Sequence, residues 1–283
     1  MISVIIPVYN ETEVIGSCLL SLIQQTLKPN EIIVVDDGST DNLIKSVEQQ
    51  NARILSKQIK LILLSQIHQG PGKARNLGAK NARGDILVFI DADMTFDKNF
   101  LKNLTAPIIS GKNAGTFTKE EFVSNWDCVW ARCWNYNERL GTNQRIPQNY
   151  PNESPVFRAI RKIEFERVGG FDAIGFTDDW TLSRKLGFKA THASDAICYH
   201  KNPSSLLEVY SQARWIGKNE FLSGSFFRRW INLFRYSFPI QMLRAILLAL
   251  RFHEPMLLLF IPVYSLGIQL GIVGQMKNEQ KYK

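Results

Sequence analysis

Short apolar runs alternating with longer amphipathic stretches fill roughly the first ninety residues of the chain. Ser3-Val4-Ile5-Ile6-Pro7-Val8-Tyr9-Asn10-Glu11 opens as a buried strand that breaks at Pro7 and ends in polar residues. From Glu13 to Leu27, Val14, Cys18, Leu22 and Ile23 recur at helical spacing, and Pro29 stops that helix. Glu31-Ile32-Ile33-Val34-Val35 is a second apolar strand, with the acidic turn Asp36-Asp37-Gly38-Ser39-Thr40-Asp41 behind it. A helix from about Asn42 to Gln50 follows, then a third apolar run at Lys60 to Leu64. The loop His68 to Asn76 opens a further helix running to about Ala82. Ile86 to Ile90 is an unbroken run of five apolar residues. Its length and β-branched content fit a strand buried on both faces, although periodicity alone also admits a buried helix. Strands alternating with helices predict right-handed crossovers and an α/β fold with a mostly parallel, twisted sheet.

That pattern locates the chemistry, because ligands of open α/β sheets bind outside the carboxyl ends of the strands. Asp91 and Asp93 stand there with one small residue between them. Such a pair suits a divalent cation carrying a phosphorylated substrate, or simply a turn that closes a strand. Gly70-Pro71-Gly72 has the glycine spacing of neither a Walker loop nor a dinucleotide fingerprint. It does put Lys73 and Arg75 at a helix N-terminus, a position suited to anions. Glu11, Asp36/Asp37, Lys73/Arg75 and Asp91/Asp93 are thus expected on one edge of the sheet, while Ser39 and Asp41 read as helix caps.

Between Asn99 and Arg158 the pattern loosens, and Trp126, Trp130, Trp134, Tyr136 and Tyr150 crowd a polar segment. The three tryptophans recur every four residues, so they form either one buried helix face or a sugar platform. Farther on, Asp178 and Asp179 precede a helix, where capping is the ordinary role of a carboxylate. Ala196 to His200 is another short apolar strand.

Composition allows one or two domains with a substantial core, at 283 residues and 45% hydrophobic content. Cys18, Cys128, Cys133 and Cys198 form no CxxC pair and no zinc spacing, which suits reduced thiols in a cytosolic-facing domain. Met1 to Pro7 is too short for a signal peptide and already reads as a strand. The net charge of +8 is uneven: residues from Lys201 on carry 11 Lys/Arg and 4 Asp/Glu. Basic charge confined to an apolar, aromatic tail points to an anionic membrane surface, with no motif for nucleic acid. Pro255 to Gly274 is twenty uncharged residues, long enough to span a bilayer. Upstream, Arg228, Arg229, Arg235, Arg244 and Arg251 interrupt an aromatic stretch and predict interfacial helices. Those arginines outnumber Lys277, Lys281 and Lys283 beyond the span, so the N-terminal side is expected on the cytoplasmic face of the cell membrane. The expected division is 1–222 as a catalytic domain and 223–283 as interfacial helices plus a span at 255–274.

Taken in order, Ser-Val-Ile-Ile-Pro-Val-Tyr-Asn-Glu, Val-Val-Asp-Asp-Gly-Ser-Thr-Asp, Gly-Pro-Gly-Lys-Ala-Arg-Asn and Phe-Ile-Asp-Ala-Asp resemble the family 2 inverting glycosyltransferases. The resemblance implies a GT-A (nucleotide-diphospho-sugar transferase, Rossmann-like) fold and transfer of a sugar from a nucleotide-diphosphate sugar to a lipid-linked or glycan acceptor. It implies that Pro7, Tyr9 and Glu11 wall the nucleotide and that Asp36 or Asp37 hydrogen-bonds the base. Arg75 with Lys73 would face the base or diphosphate, Asp91 the ribose, and Asp93 would bind Mg²⁺ or Mn²⁺. Gly169-Gly170-Phe171-Asp172 followed by Asp178-Asp179 is similar to the family's pattern before its acidic pair, with Asp in place of the usual first Glu. Asp179 then matches the catalytic base, and Asp178 falls on the acceptor side. His200 matches a histidine that touches the metal or diphosphate. Gln212-Ala213-Arg214-Trp215 resembles the Gln-x-x-Arg-Trp motif of processive synthases but is one residue short, which leaves Gln212, Arg214 and Trp215 as acceptor-side candidates. Two rivals remain. A sugar-phosphate nucleotidyltransferase needs a glycine-rich loop after the first strand, and Val8 to Glu11 contains no glycine. A catalytically silent, glycosyltransferase-like membrane scaffold has no need of Asp91, Asp93 and Asp179.

Overall fold

A computed structural model of the chain describes residues 1–276; Lys277, Lys281 and Lys283 lie outside the described residues. The chain divides into two compact units. The first comprises Met1–Phe122, Ile146–Ala173 and Asp178–His200, and the second Val123–Arg145, Ile174–Thr177 and the residues from Lys201 on.

The first unit begins β1 (Ile2–Val8), α1 (Thr12–Ile23), β2 (Glu31–Asp36), α2 (Leu43–Leu55), β3 (Lys60–Ser65), α3 (Pro71–Asn81) and β4 (Ile86–Phe89). Strands β3, β2, β1 and β4 lie side by side and parallel, with Val4 opposite Ile32 and Val88. Side chains of a strand alternate between faces. Val4, Ile6, Val34 and Val88 therefore pack with Ile15, Leu19 and Leu22 of α1 on one face. Ile5, Ile33, Val35, Leu87 and Phe89 pack with Ala74 and Ala79 of α3 on the other. Both faces are covered, which explains the continuous apolar runs. Helix α1 stops at Ile23, short of the expected Leu27. The Gln25 amide there donates to Ser21 O and Asp97 O and accepts from Leu101 N, turning the chain into a loop.

Next come β5 (Met94–Phe96), α4 (Phe100–Ile109), β6 (Gly115–Phe117) and β7 (Glu121–Val123), then α5 (Val129–Asn137) of the second unit. The first unit resumes with β8 (Glu153–Ser154), β9 (Ala159–Arg161), α6 (Lys162–Arg167), α7 (Asp178–Leu186), β10 (Ala190–His192) and β11 (Cys198–His200). Strand β9 enters the main sheet antiparallel to both β4 and β6, giving the order β3-β2-β1-β4-β9-β6-β10-β8. A smaller sheet, β5-β11-β7, stands beside the acidic turn that follows β4.

The second unit is helical. After α5 it holds α8 (Leu206–Gly217), α9 (Glu220–Ser223), α10 (Phe226–Arg235), α11 (Phe238–Phe252) and α12 (Leu257–Met276). Ser205 caps α8 through Glu208 N, and the Glu208 carboxylate returns to Ser204 N, a reciprocal cap. Helix α12 is long and apolar enough to cross a membrane. One side of it is nevertheless buried within its own unit, where Trp134 of α5 meets Phe260 and Tyr264 edge-on. Trp126 precedes α5, so the three tryptophans do not share one helix. Helices α10 and α11 together are also long and apolar enough to cross, but bend by 53° at their junction. Phe226, Phe227, Trp230, Ile231 and Phe234 of α10 are exposed among Arg228, Arg229 and Arg235.

Helices α8 and α12 cross on glycines. A Cβ at Gly271 would lie 2.2 Å from Arg214 O, and one at Gly217 would lie 2.4 Å from Ile268 O. Gly271→Ala is expected to force the helices apart and cost about 3 kcal/mol, the upper end for overpacking, read as a lower midpoint of thermal unfolding.

Candidate active site

At the carboxyl end of β4 the chain turns through Asp91-Ala92-Asp93, with Met94 N and the Cys18 thiol both donating to Asp91 O. The Asp91 carboxylate lies between two guanidinium groups. Arg75 Nη2 of α3 donates to Oδ1 at 2.8 Å, and Arg158 Nη1, just before β9, donates to Oδ2 at 3.0 Å. Burial works against the charge of Asp91, yet Arg158 and Arg75 hold its carboxyl well below the usual carboxylate range. The carboxylate in turn raises both arginines against the opposing effect of burial.

Each arginine has a second arm. Arg75 Nη1 reaches Asp178 Oδ1 at 3.1 Å and its guanidinium lies 5.8 Å from the centre of the Phe171 ring. Asp178 is buried in the first turn of α7, so close to α3 that a Cβ at Gly72 would lie 2.7 Å from its Oδ2. Its neighbour Asp179 is different. It is half-buried, and among the described residues its carboxylate has no hydrogen-bond partner. Burial pushes it up to about 6, with Arg75 pulling down and Asp178 and Asp91 pushing up. A carboxylate of that strength is ionised at neutral pH and basic enough to accept a proton.

Arg158 extends its second arm, Nη2, to Glu121 Oε2 at 3.2 Å. Glu121 Oε1 lies 2.8 Å from His200 Nδ1, and His200 Nε2 lies 3.1 Å from Asp93 Oδ1. An imidazole held at one nitrogen by a carboxylate presents the other to a cation, the usual arrangement around a metal-binding histidine. Asp93 and His200 offer an oxygen and a nitrogen of the kinds that would hold a divalent ion. Among the described residues no group of three or more His, Cys, Asp or Glu side chains is placed to hold an ion alone.

On the other side of the sheet end, Asp37 organises the loop before α3. Its carboxylate accepts from Gln66 Nε2, Gln69 N and Gly70 N and pairs with His68 Nδ1 at 2.9 Å. Gly70 has φ +89°, a left-handed conformation that turns its N–H onto Asp37. His68 stacks on Tyr9 with ring centres 4.0 Å apart. Asp36 Oδ1 accepts from Ser39 N. Pro7 and Glu11 are half-buried at the end of β1 and the start of α1, while Lys73 is exposed. The structure thus gathers Arg75, Asp91, Asp178, Asp179, Asp93 and His200 at one end of the sheet. Gln212, Arg214 and Trp215 belong to α8 of the second unit, where Trp215 meets Phe176 edge-on. Sequence reasoning missed Arg158, Glu121 and His68. A histidine two residues ahead of Gly70-Pro71-Gly72 was the one available hint.

Residues 3–169 match the model of glycosyl transferase family 2. The chain belongs to that family. Glycosyltransferase GlyG of Streptococcus pneumoniae is 33% identical over 243 residues, covering 76% of this chain and 75% of GlyG. An uncharacterized glycosyltransferase of Haemophilus influenzae is 42% identical over 94 residues, 33% of this chain and 36% of that protein. The chain spans only 15% of another relative, S. pneumoniae glycosyltransferase GlyA. Among solved structures, the mannosyltransferase PcManGT of Pyrobaculum calidifontis, in complex with GDP-Man and Mn²⁺, superposes with a TM-score of 0.64 at 18% identity, covering 98% of this chain and 87% of that one. Staphylococcus aureus TarS 1–349 with UDP gives 0.57 at 19%, covering 98% and 92%. At these identities the likeness is one of fold, and the α/β sheet of this family 2 member is GT-A-like.

Asp91→Asn leaves two buried guanidinium groups facing a neutral amide. It is expected to lower stability by about 3 kcal/mol, the scale for breaking one partner out of a buried pair, measured by urea unfolding.

Proposed function

We propose that this family 2 chain transfers a sugar from a nucleotide-diphosphate sugar to a lipid-linked or glycan acceptor by an inverting single displacement. The observation that carries the reading is Asp179, a carboxylate without a hydrogen-bond partner among the described residues, raised to about 6, beside the fixed Arg75–Asp91 pair. The acceptor hydroxyl oxygen attacks the anomeric carbon from the face opposite the diphosphate, and its proton passes to Asp179. The bond from that carbon to the diphosphate oxygen breaks, and the electron pair leaves with the nucleoside diphosphate. Asp93 and His200 would hold Mg²⁺ or Mn²⁺, which supplies positive charge to the leaving diphosphate. Lys73, exposed in the first turn of α3, adds a second cation for the diphosphate, and Asp91 faces the ribose. Tyr9, stacked on His68, walls the base together with Pro7 and Glu11, and Asp36 or Asp37 hydrogen-bonds it. Asp178 is held by Arg75 and fixes the start of α7, which aims Asp179. Gln212, Arg214 and Trp215 are assigned to the acceptor.

The same reading puts the chain at a membrane, with its catalytic domain, residues 1–222, on the cytoplasmic face. Supporting it are the uncharged α12 and the exposed aromatic side chains of α10 set among arginines.

Asp179→Asn should leave nucleotide-sugar binding intact while lowering transfer by roughly 10²–10⁴-fold, the usual contribution of a general base. In the unmodified protein kcat/KM should fall as pH drops below about 6, because the base is lost when Asp179 is protonated. Retained transfer by the asparagine variant would remove Asp179 from this role. Asp93→Ala should abolish the increment in nucleotide-diphosphate binding that Mn²⁺ gives, measured by calorimetry. A protein that binds no nucleotide diphosphate with or without metal would overturn the assignment.

A further inference from the structure

Helix α12 has the length and hydropathy of a span, but its neighbour is not built for a bilayer. Gly267 lies at its middle, about 15 Å from Leu257 at the rise of an α-helix. A Cβ there would lie 2.8 Å from the Ala213 side chain of α8, and one at Gly271 would meet Arg214 O. The two helices thus pack backbone to backbone at the mid-height of α12. Were α12 to cross a membrane, α8 would be carried to the hydrocarbon centre with it. Glu208 and Ser211 of α8 are exposed, and Gln212 and Arg214 are half-buried. Charged groups at that depth are expensive, and Glu208 and Arg214 would both make the crossing. The buried positions of α12 run from Leu257 to Gly274, so protein lines one side of it over nearly its whole length. That is the position of a core helix.

A second apolar surface in the same unit carries charge of one sign. On α10, Phe226, Trp230 and Phe234 follow at four-residue spacing, with Phe227 and Ile231 beside them, all exposed. Leu243, Ile246, Leu247 and Leu250 form the corresponding stripe on α11. From Phe226 to Phe252 there is no Asp or Glu, whereas five arginines punctuate the segment. Arg228, Arg235 and Arg251 are exposed. With a bend of 53°, and with Arg235 near the middle of the pair, α10 and α11 are poorly made for crossing. They suit the interface, where apolar side chains enter below the headgroups and cations stay among them. A second copy docked on the same stripe by a two-fold axis would set arginines against arginines.

We propose that the chain is monotopic: α10 and α11 lie in one leaflet of an anionic bilayer, and α12 is the internal core helix of their unit and does not cross. The proposal rests on the membrane placement given above and replaces a span with an attachment to one face. Recognition comes from lipid phosphates facing a surface without acids, and depth comes from the aromatic stripe.

The test uses the full chain. Purified protein should cosediment with phosphatidylcholine vesicles containing phosphatidylglycerol at least about tenfold more tightly than with phosphatidylcholine alone, a preference that salt removes. Phe227→Glu combined with Phe234→Glu should weaken that binding at least about tenfold, because both side chains are exposed and free to enter lipid. Arg235→Gln and Arg251→Gln should each weaken it about fivefold, and they keep the test open if the first variant fails to fold. For topology, His253→Cys, between α11 and α12, and a C-terminal epitope tag are probed in spheroplasts of an expressing bacterium with an impermeant maleimide and a protease, the parent chain serving as the thiol blank. Attachment to one leaflet leaves the introduced thiol and the tag unreached in intact spheroplasts and reached in inverted membrane vesicles. A tag reached from outside would mean that α12 crosses, and a thiol reached from outside that α10 and α11 cross; either overturns the one-leaflet attachment while leaving the membrane placement standing. Equal binding to both kinds of vesicle, or a dimer joined through the α10 stripe that binds neither, would also overturn it, and the second result would remove the membrane placement as well.

Discussion

Asp91 is gripped by guanidinium groups from two directions, and the geometry of the catalytic end follows from that contact. Two unit charges about 4 Å apart interact by about 4 kcal/mol at the effective dielectric of a protein surface, more than a neutral hydrogen bond contributes. Each arginine then needs a second acid, since one carboxylate does not neutralise two buried cations. Arg75 finds Asp178 on α7 and Arg158 finds Glu121 on β7. Charge alternates outward from the end of β4 into elements far apart in sequence, and each is drawn to the same spot. Asp179 owes its position to this chain of contacts, because Asp178 is fixed and its neighbour must project beside it.

How much of this was legible depended on whether a group lay in a contiguous motif. Asp91 and Asp93 sit in the turn directly attached to β4, and Arg75 sits near the start of α3, so topology alone brings them to one edge. Asp179 was reachable because Gly169-Gly170-Phe171-Asp172 sets a reading frame ahead of it. Arg158 and Glu121 had no such frame. Glu121 lies in a three-residue strand and Arg158 just ahead of another, both too short for a two-residue alternation to stand out, and β9 joins the sheet antiparallel where the alternating pattern predicts mostly parallel neighbours. His68 was hidden for another reason: its position depends on Asp37 gathering three N–H donors and on a left-handed Gly70, neither of which has a periodic signature.

The tail shows a different limit. Hydropathy located α12 within two residues at each end, from Leu257 to Met276 against Pro255 to Gly274. It did not say which face of the helix meets protein. Leu257, Phe260, Ile261, Ile268 and Ile272 are buried inside the second unit, whereas Leu258, Leu259, Leu266 and Leu270 are exposed. Leucine and isoleucine are equally apolar, so no hydropathy scale separates the two sides. The separation comes from packing, and there the small residues rather than the large ones carry the information.

Those small residues have a consequence for how the sequence is free to vary. Where α8 and α12 cross, Gly217 and Gly271 bring backbone against backbone, and Gly267 would set a Cβ 2.7 Å from Tyr210 O. A seam of that kind recognises the absence of a side chain, so no compensating change on the facing helix can restore a lost glycine. Variation in α12 is thereby channelled onto the opposite face, where one bulky apolar residue serves as well as another. The helix can drift in composition for a long time while Gly267 and Gly271 stay put.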